Sequence, residues 1–236
     1  MQLVYVINQW LKTREKGRES CAIFMNFVKA FDRVLPPGLL FKLSSTGASP
    51  DCTAWIRSYL SERTITVRVG TALSSPRKIA AGVPQGSHLG PVLFLLFIND
   101  LLSHVNMSTE LYADDALLHQ EQVPGSDYME VQEAISDAER WGTSWHGSFG
   151  HTKTKLLIIV APCRKSGESG TAVTFKPTIE DSPIEIVTQH RHLRVVTAET
   201  DPVREAYPGC GALFVYAACV VDWRRFLLTR ETNHTA

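Results

Sequence analysis

Tyr112-Ala113-Asp114-Asp115 sets two adjacent carboxylates inside an apolar run, between Leu111 and residues 116–118. Neighbouring acids in a strand-like apolar run repel each other and lose solvation unless a cation lies between them. Carboxylate oxygens suit hard cations such as Mg²⁺. The pair therefore predicts a strand that binds a metal ion, although an isolated Asp-Asp is more often a solvated turn.

Two further blocks stand upstream of these acids. Gly82-Val83-Pro84-Gln85-Gly86 begins about 30 residues before them, and residues 24–34 read FMNFVKAFDRV. Glycine in such a loop lets the backbone approach a ligand closely. Taken alone, residues 82–86 could form any Pro-Gly turn.

Together, the three blocks resemble motifs A, B and C of a reverse transcriptase, at residues 24–34, 81–101 and 111–119. They resemble most closely the enzymes of non-LTR, LINE-type retrotransposons, in order and in spacing. The resemblance covers residues 1–196 as one domain, an incomplete and degenerate copy, and leaves residues 197–236 as a divergent tail. It implies an α+β polymerase palm, an antiparallel sheet packed on helices, with partial fingers.

The resemblance also implies an activity and its partners. The family performs RNA-directed DNA synthesis, in which a nucleotide passes from a dNTP to a primer 3′ hydroxyl. Two divalent cations bind both the attacking and the leaving oxygen, Mg²⁺ by expectation with Mn²⁺ as a substitute. RNA template, DNA primer and dNTP are the expected partners.

Candidate catalytic residues follow from the motif positions. Asp114 matches the first acid of motif C and Asp115 the supporting acid. Lys153 matches the motif D lysine near the leaving pyrophosphate, a cation or proton donor, unless it is simply a solvated lysine before a strand. Asn26 stands where motif A has its metal-binding acid, so the expected metal positions are Asp114, Asp115 and the degenerate Asn26.

Candidate substrate-binding residues come from motifs A and B. Phe31 matches the bulky gate that excludes a 2′ hydroxyl, and Gln85 and Gly86 match the loop that contacts the nucleotide sugar and the template. Outside its motif, Phe31 would more often be a core residue. Asp32 is expected to pair with Arg33 or to cap the following turn.

Asn26 weakens the expected activity because a neutral amide oxygen does not offset cation charge and cannot bridge two metal ions as a carboxylate can. The expected loss of rate is on the order of 10²- to 10³-fold at least. The alternative is a catalytically inactive remnant that binds nucleic acid or a protein partner, or has no selected role.

Composition adds few constraints. The chain has 236 residues and a formal net charge of +0, with 24 basic and 24 acidic side chains, unlike most nucleic-acid binders. Its five cysteines form no CxxC pair, which argues against a zinc site. Apolar stretches are shorter than the ~20 residues of a spanning helix. The expectation is an intracellular protein of nucleus or cytoplasm, not secreted or membrane-bound, with its oligomeric state open.

Periodicity predicts helices and strands that alternate to give a sheet with helices on one face. The predicted helices lie at residues 2–12, 50–60, 87–102 and 127–145. The predicted strands lie at residues 21–27, 64–69 and 155–160 and at the Asp114 segment.

Overall fold

The computed structural model describes residues 2–124, 126–159, 175–192 and 195–198. The helices formed by these residues are α1 Gln2–Glu15, α2 Ala30–Arg33, α3 Pro36–Ser45, α4 Pro50–Leu60, α5 Leu89–Ile98, α6 Leu101–His104 and α7 Met129–Trp145. The strands are β1 Glu19–Asn26, β2 Thr64–Ile65, β3 Arg68–Val69, β4 Ala72–Leu73, β5 Arg77–Lys78, β6 Ser108–Tyr112, β7 Asp115–Gln122, β8 Lys155–Ile159, β9 Thr178–Ile179, β10 Ser182–Pro183, β11 Glu185–Val187, β12 Gln189–His192 and β13 Val195–Ala198. Most of the expected tail, residues 199–236, lies outside the described residues.

A five-stranded sheet in the order β11-β8-β1-β7-β6 lies at the centre. β1 pairs antiparallel with β7 on one side and with β8 on the other. β6 and β7 form a hairpin, and β11 adds a short parallel strand beside β8. Helices pack on this mostly antiparallel sheet, which confirms the α+β class predicted from the sequence.

The main core lies between one face of the sheet and the longer helices. Ile23, Leu118 and Leu156 come from the three central strands, while Phe94 and Ile135 come from α5 and α7. Alternate residues of a strand point to the same face, so each of these strands contributes every second side chain to this cluster. The polar residues described below lie at one end of these strands.

The second face of the sheet is covered as well, because Val6 and Trp10 of α1 pack against Phe24 and Leu117. The expectation of helices on one face is therefore wrong. Every residue of β1 before Asn26 is buried, so this strand needs cover on both sides.

The predicted helix at residues 87–102 is divided into α5 and α6 at Asn99 and Asp100. The Asp100 carboxylate accepts hydrogen bonds from Lys42 Nζ (2.6 Å) and from Trp141 Nε1 (3.0 Å). The predicted strand at 64–69 is likewise interrupted, since residues 66 and 67 separate β2 from β3. The predicted start of α4 is confirmed, with Ser49 Oγ accepting from the Cys52 amide at 3.2 Å.

Lys42 is a buried cation that joins α3 to α5 and α7. Its side chain donates to the Phe97 carbonyl at 2.7 Å and lies 3.8 Å from the centre of the Trp145 ring. Burial lowers the pKa of Lys42, and the bond to Asp100 opposes that shift. A buried cation of this kind is tolerated because it is both paired and hydrogen-bonded.

No helix in the described ranges is long and apolar enough to cross a membrane.

The contact of His119 with α1 is expected to make the stability of the protein depend on pH. It lies edge-on to Trp10 at 6.4 Å between ring centres, and burial lowers its pKa below the ordinary value of 6.5. Below pH 6.5 the unfolded chain therefore binds more protons at this site than the folded chain, so stability falls on acidification.

We expect the urea midpoint to drop between pH 7.5 and pH 5.5, and to drop less in a His119→Phe variant. Because other groups also titrate in this window, the difference between the two chains measures the contribution of His119. Equal pH dependence in both chains would show that His119 does not contribute.

Candidate functional site

The paired acids lie at one end of the central sheet. Asp114 is the second residue of the two-residue turn between β6 and β7, and Asp115 is the first residue of β7, opposite Tyr112. Asp114 is therefore not part of a strand, contrary to expectation. The turn is held to the end of β1 by the Phe27 amide, which donates to the Asp114 carbonyl at 3.2 Å. Both side chains are half-buried, so they remain accessible to a ligand.

Asn26 ends β1 directly opposite Asp115. Its Nδ2 donates to Asp115 Oδ1 at 2.7 Å, and its Oδ1 accepts from Lys153 Nζ at 3.4 Å. The structure thus brings together three residues predicted from separate motifs. Within the described ranges the Asp114 carboxylate has no hydrogen-bond partner.

Lys153 reaches Asn26 because the segment before β8 docks on the end of β1. The Val28 amide donates to the Ser148 carbonyl at 2.9 Å, and the Gly150 amide donates to the Asn26 carbonyl at 3.0 Å. The Lys153 amide then closes a turn on the Gly150 carbonyl at 3.1 Å. These backbone bonds do not depend on side-chain identity, so no residue pattern indicates them.

The loop at residues 82–86 is attached to the segment that follows β1. The Gly82 amide donates to the Val34 carbonyl at 2.7 Å, and the Val83 amide donates to the Phe31 carbonyl at 2.8 Å. Gly82 has φ +86°, and a Cβ there would lie 3.0 Å from backbone atoms of Phe31 and Asp32. Only glycine allows this close approach of the two backbones.

Gln85 and Gly86 continue this loop on the exposed side. Gln85 Nε2 donates to Asp32 Oδ1 at 2.7 Å. Asp32 thus pairs with Gln85 and not with Arg33, whose guanidinium donates to Ser148 Oγ. Gly86 has φ +79° and open space where a side chain would project.

Phe31 is half-buried and lies against Phe94 of α5, with 4.7 Å between ring centres. The two rings are tilted by 30° to each other, and the Phe31 side chain stays partly exposed. Phe31 therefore packs on the core and also borders the surface beside the loop, and its role as a gate stays a prediction.

A cavity of about 220 Å³ adjoins Asn26, Asp115 and Lys153, and its far wall is formed by His190 and His192 of β12. The His190 ring lies 4.0 Å from the ring of Phe24. Burial lowers the pKa of both histidines, and the nearby Asp115 carboxylate opposes this shift.

These two histidines were not among the residues predicted from the sequence. The signal that could have found them is their spacing of two residues, which puts His190 and His192 on one face of a strand.

The donors at this site do not fit a pair of metal ions. Across the residues described, no three His, Cys, Asp or Glu side chains are placed to hold a metal ion. Asp114 and Asp115 can offer oxygens to one cation. Asn26, at the expected third and degenerate position, turns its amide hydrogens toward Asp115 and its oxygen toward a lysine ammonium.

A family model for "Reverse transcriptase (RNA-dependent DNA polymerase)" matches residues 5–195, which include all of these motifs. The chain belongs to the reverse transcriptase family. The expected resemblance to the enzymes of LINE-type elements is confirmed, since curated relatives are RNA-directed DNA polymerases of such elements.

The RNA-directed DNA polymerase from mobile element jockey of Drosophila melanogaster is 36% identical over 155 residues, 61% of this chain and 17% of that protein. The probable RNA-directed DNA polymerase from transposon BS of the same species is 36% identical over 179 residues, 72% of this chain and 18% of that protein. The reverse transcriptase chain thus spans less than a fifth of the length of these relatives.

Among solved structures, apo telomerase from Candida tropicalis, truncated from its C-terminal domain, aligns with a TM-score of 0.53 at 14% identity. The alignment covers 82% of this chain and 38% of that one. At this identity the likeness concerns the fold, and it confirms the predicted polymerase palm.

Proposed function

We propose that this chain is the palm, with part of the fingers, of an RNA-directed DNA polymerase that extends a DNA primer on an RNA template from dNTPs. The observation that carries the proposal is the meeting of Asn26, Asp115 and Lys153, from three motifs, at one end of the sheet. The attachment of the 82–86 loop to Phe31 supports it. Residues 1–196 form the proposed domain, and the family match to residue 195 supports that boundary.

Each residue has a proposed task in this reaction. Gln85 and Gly86 border the nucleotide sugar, where Gly86 leaves open space for close approach. Phe31, fixed by Phe94, would clash with a 2′ hydroxyl and so favours dNTPs. Lys153 carries positive charge to the position expected for the leaving pyrophosphate.

Asp114 and Asp115 are the residues that would hold Mg²⁺, or Mn²⁺ in its place. Such an ion would neutralise charge on the phosphates during transfer. Because Asn26 does not complete the site, we propose that polymerisation by this chain is slow.

The test is primer extension with a labelled DNA primer on an RNA template, with Mg²⁺ and separately with Mn²⁺. We expect slow extension with dNTPs, little with rNTPs, and none in an Asp114→Asn variant. Asp51→Asn makes the same chemical change on the exposed start of α4 and should leave the rate unchanged. Absence of extension with both metal ions would contradict the proposal.

A second candidate is an inactive remnant that still binds nucleic acid. The bond between Asn26 and Asp115 favours it, because the amide satisfies a carboxylate that the reaction would need. Primer–template binding without extension would support this candidate. Binding that stays unmeasurable at low salt, where phosphate contacts are strongest, would exclude it.

A further inference from the structure

β6 is the last strand on its side of the central sheet. It pairs with β7 on its inner side, and within the described ranges no strand lies on its outer side. The two-residue turn is closed by a hydrogen-bonded pair, Tyr112 and Asp115, and such pairs alternate along an antiparallel ladder with pairs that exchange no bonds. Thr109 and Leu111 therefore turn their backbone N–H and C=O groups outward. These groups can bind the backbone of a further strand.

The outer side of β6 is open to such a strand. Ser108 and Tyr112 are exposed, and the three residues between them are half-buried. Proteins commonly protect an exposed strand with lysine, proline or a bulge. β6 contains neither lysine nor proline, and its five residues pair in register with β7 without a bulge. Its one charged residue is Glu110, so the charge on this strand would attract a basic partner.

A cavity of about 620 Å³ opens beside the first residue of β6. Its volume falls within the range of about 300–1000 Å³ that is usual for ligand sites. Val105, Met107 and Ala134 supply apolar surface, and Glu130 and Glu133 of α7 supply two carboxylates. Lysine and arginine combine an apolar stem with a cationic end, so their side chains match this lining.

The charge around the cavity favours a cationic partner. Residues 79–139 contain ten acidic side chains and no lysine or arginine, whereas the rest of this neutral chain carries 14 acidic and 24 basic ones. The Glu130 carboxylate accepts a hydrogen bond from Gln120 Nε2. In the part of the chain that the structure describes, neither Glu130 nor Glu133 forms an ion pair. Phosphates would be repelled from this surface, whereas a basic peptide would be attracted to it.

We propose that β6 and this cavity form a docking site for an extended, basic segment of a partner protein. The segment pairs with the outer side of β6 and places a lysine or arginine side chain between Glu130 and Glu133. Backbone pairing provides affinity, and the acidic cavity selects the side chain. The proposal does not depend on polymerase activity, because Asp114 and Asp115 follow the other end of β6.

The experiment measures equilibrium binding of a labelled hexapeptide in which lysine alternates with threonine and both ends are blocked. We expect binding that weakens as the salt concentration rises, because the charges on this surface are accessible to solvent. A peptide with glutamate in place of lysine should not bind. Equal binding of the two peptides would overturn the proposal.

A variant carrying Glu130→Gln and Glu133→Gln removes both carboxylates of the cavity and keeps the size of the side chains. We expect its affinity for the lysine peptide to fall by roughly three- to tenfold, through the loss of two solvent-accessible charge pairs. The matched control carries Glu15→Gln and Glu62→Gln, the same change at two exposed positions outside residues 79–139. It should bind as tightly as the unaltered chain. An equal loss in the control would mean that net charge is responsible, and would overturn the proposal.

Thr109→Pro tests the backbone pairing, because proline removes an outward N–H while the bonds between β6 and β7 remain. Thr109→Val is its control, since valine keeps the N–H but, like proline, lacks the hydroxyl that donates to the Met107 carbonyl at 2.9 Å. We expect only the proline variant to bind more weakly, by about three- to tenfold for one backbone hydrogen bond.

A second peptide tests the same pairing on the unaltered chain. The lysine peptide methylated on every backbone nitrogen keeps its charge but cannot donate to β6, so it should not bind. Full binding of the methylated peptide would show that charge alone attracts the lysine peptide, and would overturn the proposal.

Urea unfolding of each variant checks that the fold is retained. Unchanged affinity in the variant of Glu130 and Glu133 would also overturn the proposal. Primer extension is a separate measurement, and its failure would contradict the proposed function without affecting the docking site.

Discussion

An Asn26→Asp variant is expected to extend a DNA primer on an RNA template about 10²- to 10³-fold faster than the unaltered chain. The substitution keeps the size of the side chain and adds the negative charge that the proposed site lacks. In the variant, a carboxylate oxygen replaces the amide nitrogen that now donates to Asp115 Oδ1 at 2.7 Å. Two possible oxygen ligands then face each other. Two carboxylates at that separation attract a cation, whereas in the unaltered chain Asn26 and Asp115 are joined by a hydrogen bond.

The same variant should differ in its response to metal ions even without substrate. Without a divalent ion, the new carboxylate repels Asp115, so the variant should unfold at lower urea than the unaltered chain. Added Mg²⁺ should restore its stability, by about 2.7 kcal/mol at a concentration 100-fold above its dissociation constant. The unaltered chain should respond weakly.

Asn26→Ala is the matched control, because it removes the hydrogen bond and adds no carboxylate. It should gain neither activity nor a response to Mg²⁺. If the aspartate variant and the unaltered chain extend primers at equal rates, Asn26 is not what limits the reaction.

Gly82→Ala is expected to destabilise the protein by about 2 to 5 kcal/mol and to abolish any extension. Two costs combine here. The left-handed backbone at φ +86° disfavours alanine, and the added Cβ would lie 3.0 Å from three backbone atoms of Phe31 and Asp32. Relief of that contact moves the loop that carries Gln85 and Gly86 away from the segment after β1.

Gly47→Ala separates the two costs. Gly47 has nearly the same backbone angle, φ +84°, but a Cβ added there would meet no other atom within 4 Å. It should lose only the ~1 to 2 kcal/mol of the backbone term. Urea unfolding of both variants, with primer extension in the Asn26→Asp background, measures the difference. Equal destabilisation would show that the close approach at Gly82 does not contribute to the free energy of unfolding.

Motif order and sheet geometry together explain why three of the predicted site residues lie close together, while their roles stay predictions. Asn26 and Asp115 come from motifs far apart in the chain, and antiparallel pairing of β1 with β7 brings them together. Lys153 lies beside Asn26 for the same reason, since it precedes a strand that pairs with β1.

Sequence reasoning failed where a contact depended on a distant partner. Asp100 lies at the division between α5 and α6, and its partners Lys42 and Trp141 are 58 and 41 residues away. Likewise, Gln85 binds Asp32 across 53 residues. No local pattern encodes such pairs, and the cover that α1 gives to the second face of the sheet is equally non-local.

The buried Lys42 gives the protein an internal chemical reporter. The residue is only 5% exposed and its amine is enclosed by three aromatic rings, so an amine-directed reagent cannot reach it in the folded state. Labelling of Lys42 requires the helices around it to separate, whereas the exposed Lys12 and Lys78 react at once. The rate of modification at Lys42, followed by mass spectrometry, therefore reports how often the core opens under native conditions.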